Sequence, residues 1–229
     1  MSDFLLVHGG FHGAWCWDLL IPELKALGHT AEAVDLPIEQ VGAGPDRYAA
    51  DVAAHLATMQ RPVWLVGHSM GGIVIPRVRP LEGIAGLIYL CPGLPARNAE
   101  EHEENLAAFE SGLTDIFNID DDGMITMSVE DAVARIYSHT PATLLEWAIP
   151  RMRRQWVGGI VTQLTPFEGY PDLPRHVILA EEDRILALPR IAAIARKRLG
   201  VEPITLPGDH SPHVSRPRDL ATLFHRLVA

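Results

Sequence analysis

Cysteine is scarce in this chain of 229 residues, which carries only Cys16 and Cys91. Each lies in an apolar stretch, so we expect two buried free thiols rather than a disulfide. No apolar run reaches the roughly 18 residues that a membrane-spanning helix needs, and no secretory signal precedes the first apolar run, Phe4 to Val7. The sequence therefore predicts a soluble, cytoplasmic protein that makes no contact with a membrane.

Positive charge is also in short supply, with 19 lysines and arginines against 29 acidic residues and a formal net charge of −10. A surface of this sign repels phosphate backbones, which argues against nucleic acid as a partner. Asn118, Asp120, Asp122 and Gly123 match the first half of a calcium-binding loop, but Val129 stands where the bidentate carboxylate should be. We therefore interpret the Asp-Gly pair as a hairpin turn.

Internal repeats are absent, and short apolar runs alternate instead with longer amphipathic segments. The apolar runs predict six strands, at Phe4 to Val7, Thr30 to Val34, Pro62 to Val66, Gly86 to Leu90, Val177 to Ala180 and Pro203 to Leu206. The amphipathic segments predict helices at Trp17 to Leu27, Arg47 to Met59 and Pro217 to Leu227. This alternation is typical of an α/β fold, a mostly parallel sheet with helices on both faces.

The alternation stops between about Ala96 and Pro171. This stretch predicts a hairpin from Phe117 to Met127 and three helices, at Glu100 to Phe109, Val129 to Tyr137 and Ala142 to Arg154. A long insertion in a compact domain usually has structure of its own or a functional task. We expect residues 1–95 and 172–229 to form the core and residues 96–171 to form an inserted cap or lid.

A Gly-x-Ser-x-Gly pattern follows the third predicted strand directly, as Gly67-His68-Ser69-Met70-Gly71. At such a strand-to-helix turn, a serine in a strained backbone conformation presents its hydroxyl above the sheet edge. Side chains two residues away on either side would clash, which explains the two glycines. The pattern predicts Ser69 as a catalytic nucleophile.

A nucleophilic serine needs groups that stabilise the negative charge of the tetrahedral intermediate. His8-Gly9-Gly10-Phe11 follows the first predicted strand, and its bare backbone can turn N–H groups toward a carbonyl oxygen. Folds with this elbow take one donor from such a loop and one from the residue after the serine. We expect the backbone N–H groups of Gly10 and Met70 to form the oxyanion hole.

The serine also needs a base to accept its proton. Among eleven histidines, His210 follows the last predicted strand, at the carboxyl edge of the sheet where ligands of open α/β sheets bind. His213 is the alternative. The acid that orients the base comes between serine and histidine in this chain order, and Asp183, which follows the fifth strand, is predicted, with Glu182 as the alternative.

The predicted pocket is mostly apolar, as small-molecule sites usually are. Its expected residues are Phe11, His12, Trp15, His68, Met70 and Trp147. The basic cluster of Arg151, Arg153 and Arg154 is interpreted as a solvated helix face rather than as a site for an acidic substrate. We therefore expect a small or medium hydrophobic ester as the substrate.

These motifs resemble the α/β-hydrolase superfamily, and within it the group of plant methylesterases, hydroxynitrile lyases and bacterial esterase relatives. The resemblance is carried by His8-Gly9-Gly10-Phe11-His12-Gly13-Ala14-Trp15, Gly67-His68-Ser69-Met70-Gly71-Gly72, Glu182-Asp183-Arg184 and Asp209-His210-Ser211-Pro212. It implies a sheet with strand order 2-1-3-4-5-6, a cap above the serine, a triad of Ser69, Asp183 and His210, and neither a metal nor an organic cofactor.

Two departures distinguish the chain from the hydroxynitrile lyases of that group. The lyases carry a threonine at the position of Gly9 and a lysine at the position of Ser211, which favours ester hydrolysis here. The serine at position 69 also argues against dehalogenases and epoxide hydrolases, which use an aspartate as nucleophile. Pro76 is a further oddity, because it should bend or end the helix that follows the serine.

Three other functions are compatible with the same sequence motifs. One is a lyase or another non-hydrolytic enzyme that uses the same triad. The second is a ligand-binding receptor in which the triad is a relic. The third is a biosynthetic enzyme that hydrolyses or cyclises one particular intermediate. In each case the partner is a small molecule, and the chain is expected to be a monomer or a homodimer.

Overall fold

A computed structural model describes residues 1–60, 62–110, 116–159 and 164–228. Six strands form a parallel sheet: β1 (Asp3–Val7), β2 (Thr30–Val34), β3 (Val63–His68), β4 (Ile84–Leu90), β8 (Arg175–Ala180) and β9 (Ile204–Leu206). A smaller antiparallel sheet contains β5 (Phe117–Ile119), β6 (Met124–Met127) and β7 (Gln155–Trp156). The order of the large sheet is β2-β1-β3-β4-β8-β9, which confirms the predicted fold class and the strand order that the resemblance implied.

The register of the large sheet brings the carboxyl ends of its central strands to one edge. β1 is buried along its whole length, because its apolar residues face helices on both sides of the sheet. Val7 at the end of β1 lies opposite Gly67, and His68 at the end of β3 lies opposite Leu90. Leu90 in turn lies opposite Ile178 of β8. The loops that follow these strands therefore meet at one edge.

Helices connect the strands of the core. They are α1 (Leu20–Ala26), α2 (Pro45–Leu56), α3 (Gly71–Val74), α7 (Leu188–Leu199), α8 (Pro212–Ser215) and α9 (Pro217–Val228). Of these, α1, α2 and α9 overlap the three predicted ranges, whereas α7 and α8 were not predicted. The helix predicted from Trp17 begins later, at Leu20, after a separate 3-10 turn at Ala14–Trp17. α7 ends at Gly200, whose φ of 69° is a left-handed conformation that glycine adopts without strain.

Pro76 limits the helix after the serine, as predicted. α3 contains only four residues, and a 3-10 turn at Ile75–Arg77 follows it with the proline in its first turn. A proline has no N–H to donate to the preceding turn, so the α-helical hydrogen-bond pattern cannot pass through it.

The segment from Ala96 to Pro171 contains α4 (Ala99–Ala107), α5 (Val129–Asp131), a π-helical turn (Ala132–Ile136) and α6 (Ala142–Ala148), together with the small sheet. Residues 111–115 and 160–163 of this segment lie outside the described residues. The predicted hairpin is confirmed, since β5 and β6 pair antiparallel and Gly123 has a φ of 74°. The Asp120 carboxylate caps this turn by accepting the N–H groups of Asp122 and Met124.

One predicted helix of this segment is wrong at its end. The helix expected from Ala142 to Arg154 stops at Ala148, and a 3-10 turn at Ile149–Arg151 follows. Pro150 interrupts the helical hydrogen bonds there, and the chain continues in extended form into β7. The expected helix face with three arginines therefore does not exist.

The acidic helix α4 is held against the core helix α7. The guanidinium of Arg198 donates to the backbone oxygen of Glu101 at 2.7 Å and to Asn105 Oδ1 at 2.9 Å. Lys197 forms an ion pair with Glu104. Backbone hydrogen bonds from Ala187 and Glu110 extend the contact beyond the helix end. This helix is thus part of the packed body of the protein.

The cysteines and the lengths of the helices can be compared with the sequence predictions. Cys16 and Cys91 are both free and buried, as expected. Across the four described ranges, no helix combines the length and the apolar character that crossing a bilayer requires.

Candidate active site

Ser69 lies at the end of β3 in a strained backbone conformation. Its φ is 50°, in the left-handed region that residues with a side chain avoid. The turn is held by the Ser69 N–H, which donates to the backbone oxygen of Leu90 at 3.0 Å. A Cβ atom on Gly67 would lie 2.4 Å from the backbone oxygen of Gly71, and one on Gly71 would lie 2.5 Å from that of Val7. Both glycines of the pattern are therefore required by close backbone contacts.

Two candidate partners of the serine meet in the loops after β8 and β9. His210 Nδ1 donates to Asp183 Oδ2 at 2.8 Å, and both side chains are buried. The other oxygen of Asp183 accepts the N–H groups of Ile185 at 2.7 Å and Leu186 at 3.0 Å. The carboxylate is thereby fixed in orientation, and the proton on His210 is assigned to Nδ1, which leaves Nε2 free to accept a proton.

The two alternatives from the sequence have different surroundings. Glu182 accepts the N–H of Gly208 through its carboxylate, and so it braces the loop that carries His210. His213 is fully buried, and neither ring nitrogen has a hydrogen-bond partner among the described residues. Within those residues, no hydrogen bond yet joins Ser69 Oγ to His210 Nε2. Such bonds are often long without substrate and tighten when it binds.

The loop that carries one expected oxyanion donor lies against the serine, because a Cβ atom on Gly9 would lie 2.9 Å from Ser69 Cβ, and the other expected donor, Met70, follows Ser69 in the chain. Neither Gly10 N–H nor Met70 N–H donates a hydrogen bond to another described residue. Next to Gly10, Phe11 has a φ of 63°, so this loop is strained like the serine turn. Two free donors next to a strained serine are what an oxyanion hole requires.

Asp209 is a functional candidate that sequence reasoning missed. Its carboxylate is completely buried and accepts hydrogen bonds from two parts of the chain. One oxygen accepts from His139 N–H and the Thr140 hydroxyl, and the other accepts from Ser211 N–H and the Ser215 hydroxyl. It thus ties the inserted segment to the loop of His210. Its place beside His210 was the only signal in the sequence, and the distant partners could not be foreseen.

The aromatic residues expected in the pocket pack against other aromatic side chains. Phe11 packs against Phe117 of β5, with ring centroids 5.6 Å apart. Trp15 contacts Trp147 edge to face at 5.3 Å and stacks on His12 at 5.4 Å. These aromatic groups come from both the core and the inserted segment.

The two histidines expected in the pocket are buried instead. His68 Nε2 donates to the backbone oxygen of His210 at 2.8 Å, and this side chain has no exposed surface. His12 Nδ1 donates to the oxygen of Gly10 at 2.6 Å, and its Nε2 accepts from the Tyr137 hydroxyl at 2.7 Å. Both side chains support the surrounding loops: both ring nitrogens of His12 are hydrogen-bonded, whereas His68 is held through Nε2, and its buried Nδ1 has no partner among the described residues.

Four buried histidines surround the serine turn, and burial disfavours their charged form. Burial lowers the pKa of His8 to about 4 and that of His12 to about 3, opposed in each case by a hydrogen bond to a backbone oxygen. Burial, and then the neighbouring histidines, hold the pKa values of His68 and His213 well below the usual 6.5. The cluster is therefore neutral at physiological pH.

This cluster predicts that acid weakens the fold. Below about pH 6.5 the unfolded chain binds protons that the folded chain does not, so the free energy of unfolding falls as pH falls toward 4. Each such histidine should contribute a slope of about 1.4 kcal/mol per pH unit within its window. Urea unfolding at pH 7.5, 6 and 5 measures the slope. His213→Phe should reduce the slope, and an unchanged slope in this variant would contradict this account.

Two of the three arginines in the cluster are engaged in ion pairs, and the third lies against an aromatic ring. Arg153 lies 3.0 Å from Asp35 and 3.3 Å from Glu39. Arg154 pairs with Asp120, and the Arg151 guanidinium lies over the Trp147 ring. Their positive charge is largely compensated within the chain.

One group of side chains in the described part of the chain could in principle hold a metal, namely Cys91, Asp183 and His210, with one ligand atom of each within 4.8 Å of the others. Burial raises the pKa of the Cys91 thiol well above its usual value, so it is not the thiolate that metals bind. Asp183 and His210 already satisfy each other through a direct hydrogen bond. The donor set fits a hydrogen-bonded acid and base better than a metal centre.

Comparisons with known proteins agree with the fold just described. The family model described as "Alpha/beta hydrolase family" matches residues 4–223. Methylesterase 1 of Arabidopsis thaliana is 27% identical and covers 99% of this chain and 96% of its own length. The pyrethroid hydrolase of Sphingobium wenxiniae is 26% identical and covers 96% of this chain and 85% of its own. The crystal structure of polyneuridine aldehyde esterase superposes with a TM-score of 0.85 at 20% identity and covers 100% of both chains.

Proposed function

This chain belongs to the alpha/beta hydrolase family, and we propose that it is a serine-dependent carboxylesterase with Ser69 as nucleophile, His210 as base and Asp183 as the acid that orients the base. The observation that carries the proposal is the 2.8 Å hydrogen bond from His210 to Asp183 at the sheet edge where Ser69 is held at a φ of 50°. The similar curated proteins are methylesterases and other ester hydrolases, which supports an ester as the substrate.

The proposed mechanism follows from the position of each group. Ser69 Oγ attacks the acyl carbonyl, while His210 Nε2 accepts the hydroxyl proton. Asp183 accepts the Nδ1–H of His210, fixes its tautomer and stabilises the imidazolium that forms. The N–H groups of Gly10 and Met70 stabilise the oxyanion. His210 then protonates the departing alcohol, and water attacks the acyl-enzyme by the same route to release the acid.

The substrate is proposed to be a small or medium hydrophobic ester. Phe11 packs against Phe117, and Trp15 packs against Trp147 and His12. The His12 ring in turn contacts that of His68, the residue before Ser69. Arg153 and Arg154 are paired with carboxylates. Residues 1–95 and 172–229 are proposed to form the catalytic core, with residues 96–171 as the cap that contributes Trp147. An apolar pocket of this kind favours an uncharged acyl compound.

The hydroxynitrile lyase alternative is not favoured by the surroundings of the two distinguishing positions. A Cβ atom on Gly9 would lie 2.8 Å from His68 Nδ1 and 2.9 Å from Ser69 Cβ, so a threonine does not fit there without displacing the serine turn. Ser211 is completely buried, and a lysine ammonium in its place would lose its hydration.

A labelling experiment tests the proposal directly. The protein is incubated with p-nitrophenyl acetate and, separately, with a fluorophosphonate, and the adduct is located by mass spectrometry of peptides. We expect a single adduct on Ser69, release of p-nitrophenol over many turnovers, and protection of Ser69 by the ester. An adduct on another residue, or turnover that persists after Ser69 is fully labelled, would contradict the assignment. Labelling without turnover of a panel of esters and lactones would point instead to the receptor or lyase alternatives.

A further inference from the structure

The strained residue of the oxyanion loop, Phe11, is held on both sides by the inserted segment. Its N–H donates to Gln155 Oε1 at 3.0 Å, and its carbonyl oxygen accepts the N–H of Arg153 at 2.8 Å. Phe11 has a φ of 63°, a conformation that persists only when its surroundings fix it. Residues 153 and 155 are therefore part of what keeps the loop in place.

The side chain of Gln155 touches both parts of the predicted oxyanion hole. It extends from β7 and is completely buried. Its Oε1 accepts the Phe11 N–H, and its Nε2 lies 2.9 Å from Met70 Sδ. Since Gly10 and Met70 carry the expected donors, one amide contacts the residue that follows the first donor and the residue that carries the second.

The same side chain explains why position 10 is a glycine. A Cβ atom on this residue would lie 2.8 Å from Gln155 Oε1, and the atoms within 4 Å of it all belong to Gln155. Its φ is not among the left-handed values found in the described chain, so its own backbone does not demand glycine. The absence of a side chain at position 10 is instead explained by the approach of Gln155.

We infer that Gln155 is a positioning residue for ester hydrolysis, which holds the Gly10–Phe11 peptide and Met70 so that the two N–H groups converge on the oxyanion. The inference rests on the proposed function of Ser69. Gln155 itself makes no contact with the reacting atoms. If its acceptor is lost, the buried Phe11 N–H has no partner and the strained peptide relaxes, which turns the adjacent Gly10 N–H away from the oxyanion.

The first test replaces Gln155 with methionine, which keeps the length of the side chain and removes the acceptor. We expect kcat for p-nitrophenyl acetate to fall about 10- to 100-fold, the scale of a misplaced catalytic group, with KM changed less than about threefold because ground-state binding is retained. The affinity for a trifluoromethyl ketone, which forms an oxyanion on Ser69, should fall in parallel. The affinity for the matching methyl ketone, which remains a neutral carbonyl, should not change.

Tyr170→Phe is the matched control, because it removes another hydrogen bond between the inserted segment and the core. The Tyr170 hydroxyl donates to the oxygen of Pro95 at 2.8 Å, away from the serine turn. This variant should keep the kcat of the wild type. A Gln155→Met protein with wild-type kcat would overturn the inference, and so would equal losses of affinity for the two ketones, since these would indicate a general disturbance of the pocket.

A double-mutant cycle keeps the inference testable if Gln155→Met does not fold. In Gly10→Ala, the added methyl group displaces Gln155 Oε1, so kcat should fall about as far as in Gln155→Ala. In the double variant, the methyl group meets no obstacle, and kcat should fall no further than in Gln155→Ala alone. Additive losses would overturn the inference. Ser69→Ala is measured in parallel. If this variant keeps its activity, the proposed function is wrong. If it is inactive but the losses at positions 10 and 155 are additive, only the inference on Gln155 is wrong.

Discussion

Ser69→Ala is expected to lower kcat for p-nitrophenyl acetate about a million-fold, the scale of loss when a triad loses its nucleophile. The backbone turn should survive the change, since it is held by the Ser69 N–H and by the close contacts of Gly67 and Gly71 rather than by the hydroxyl. KM or ligand affinity should therefore change little. The residual rate of the variant is measured in stopped assays over several hours and compared with the rate of the uncatalysed reaction.

Ser211→Ala is the control for this variant. Ser211 is buried next to His210, and its hydroxyl has no hydrogen-bond partner among the described residues. Removing an unsatisfied buried hydroxyl should leave kcat unchanged and the free energy of unfolding equal or slightly higher. The nucleophile would have to be sought elsewhere if Ser69→Ala retained more than a few per cent of the activity while its melting temperature stayed at the wild-type value.

Asp183→Asn is expected to lower kcat about 10⁴-fold with little change in KM. The N–H groups of Ile185 and Leu186 point at one oxygen of Asp183, so the asparagine carbonyl oxygen must take that position. Its NH₂ group then faces His210 Nδ1, which has to become an acceptor. The proton moves to Nε2, and the base can no longer accept the proton of Ser69.

Glu182→Gln provides the comparison, because Glu182 is the neighbouring carboxylate and braces the Gly208 loop. Its amide oxygen can still accept the N–H of Gly208, so we expect only a small decrease in kcat. Steady-state kinetics on the two variants, with melting temperatures to exclude unfolding, separates the roles. A larger loss in Glu182→Gln than in Asp183→Asn would mean that the orienting acid has been misassigned.

The core of the fold could be predicted from the sequence because its signals are local. Buried strands such as Asp3–Val7 are short apolar runs bounded by turns. The two glycines at positions 67 and 71 are required by steric contacts within the turn and with the adjacent strand, so the pattern itself indicates the turn. The strand order came from the family resemblance, since composition does not tell which strands are neighbours. Helix ends were less well predicted, because the 3-10 turn before Leu20 and the break at Pro150 depend on local competition between hydrogen-bond patterns.

The supporting residues of the site could not be predicted, because their partners are distant in sequence. Gln155 was placed just beyond the end of a predicted helix, and nothing nearby indicates that its amide reaches Phe11 and Met70. Asp209 pairs with His139 and Thr140, about 70 positions earlier in the chain. Such contacts depend on how the inserted segment docks, which is a property of the tertiary structure.

The pairing of β4 with β8 has a consequence for the order of folding. Strands β1 to β4 follow one another with helical connections that are much shorter than the one from β4 to β8, and β8 reaches Leu87 to Leu90 only across the whole inserted segment. Closing so long a loop costs chain entropy before its contacts stabilise it. During refolding, the strand that carries Ser69 can therefore assemble first, while Asp183 and His210 arrive with the late strands. Recovery of activity would then lag behind recovery of secondary structure, and a nascent chain that carries its nucleophile would stay inert until its carboxyl-terminal quarter has docked.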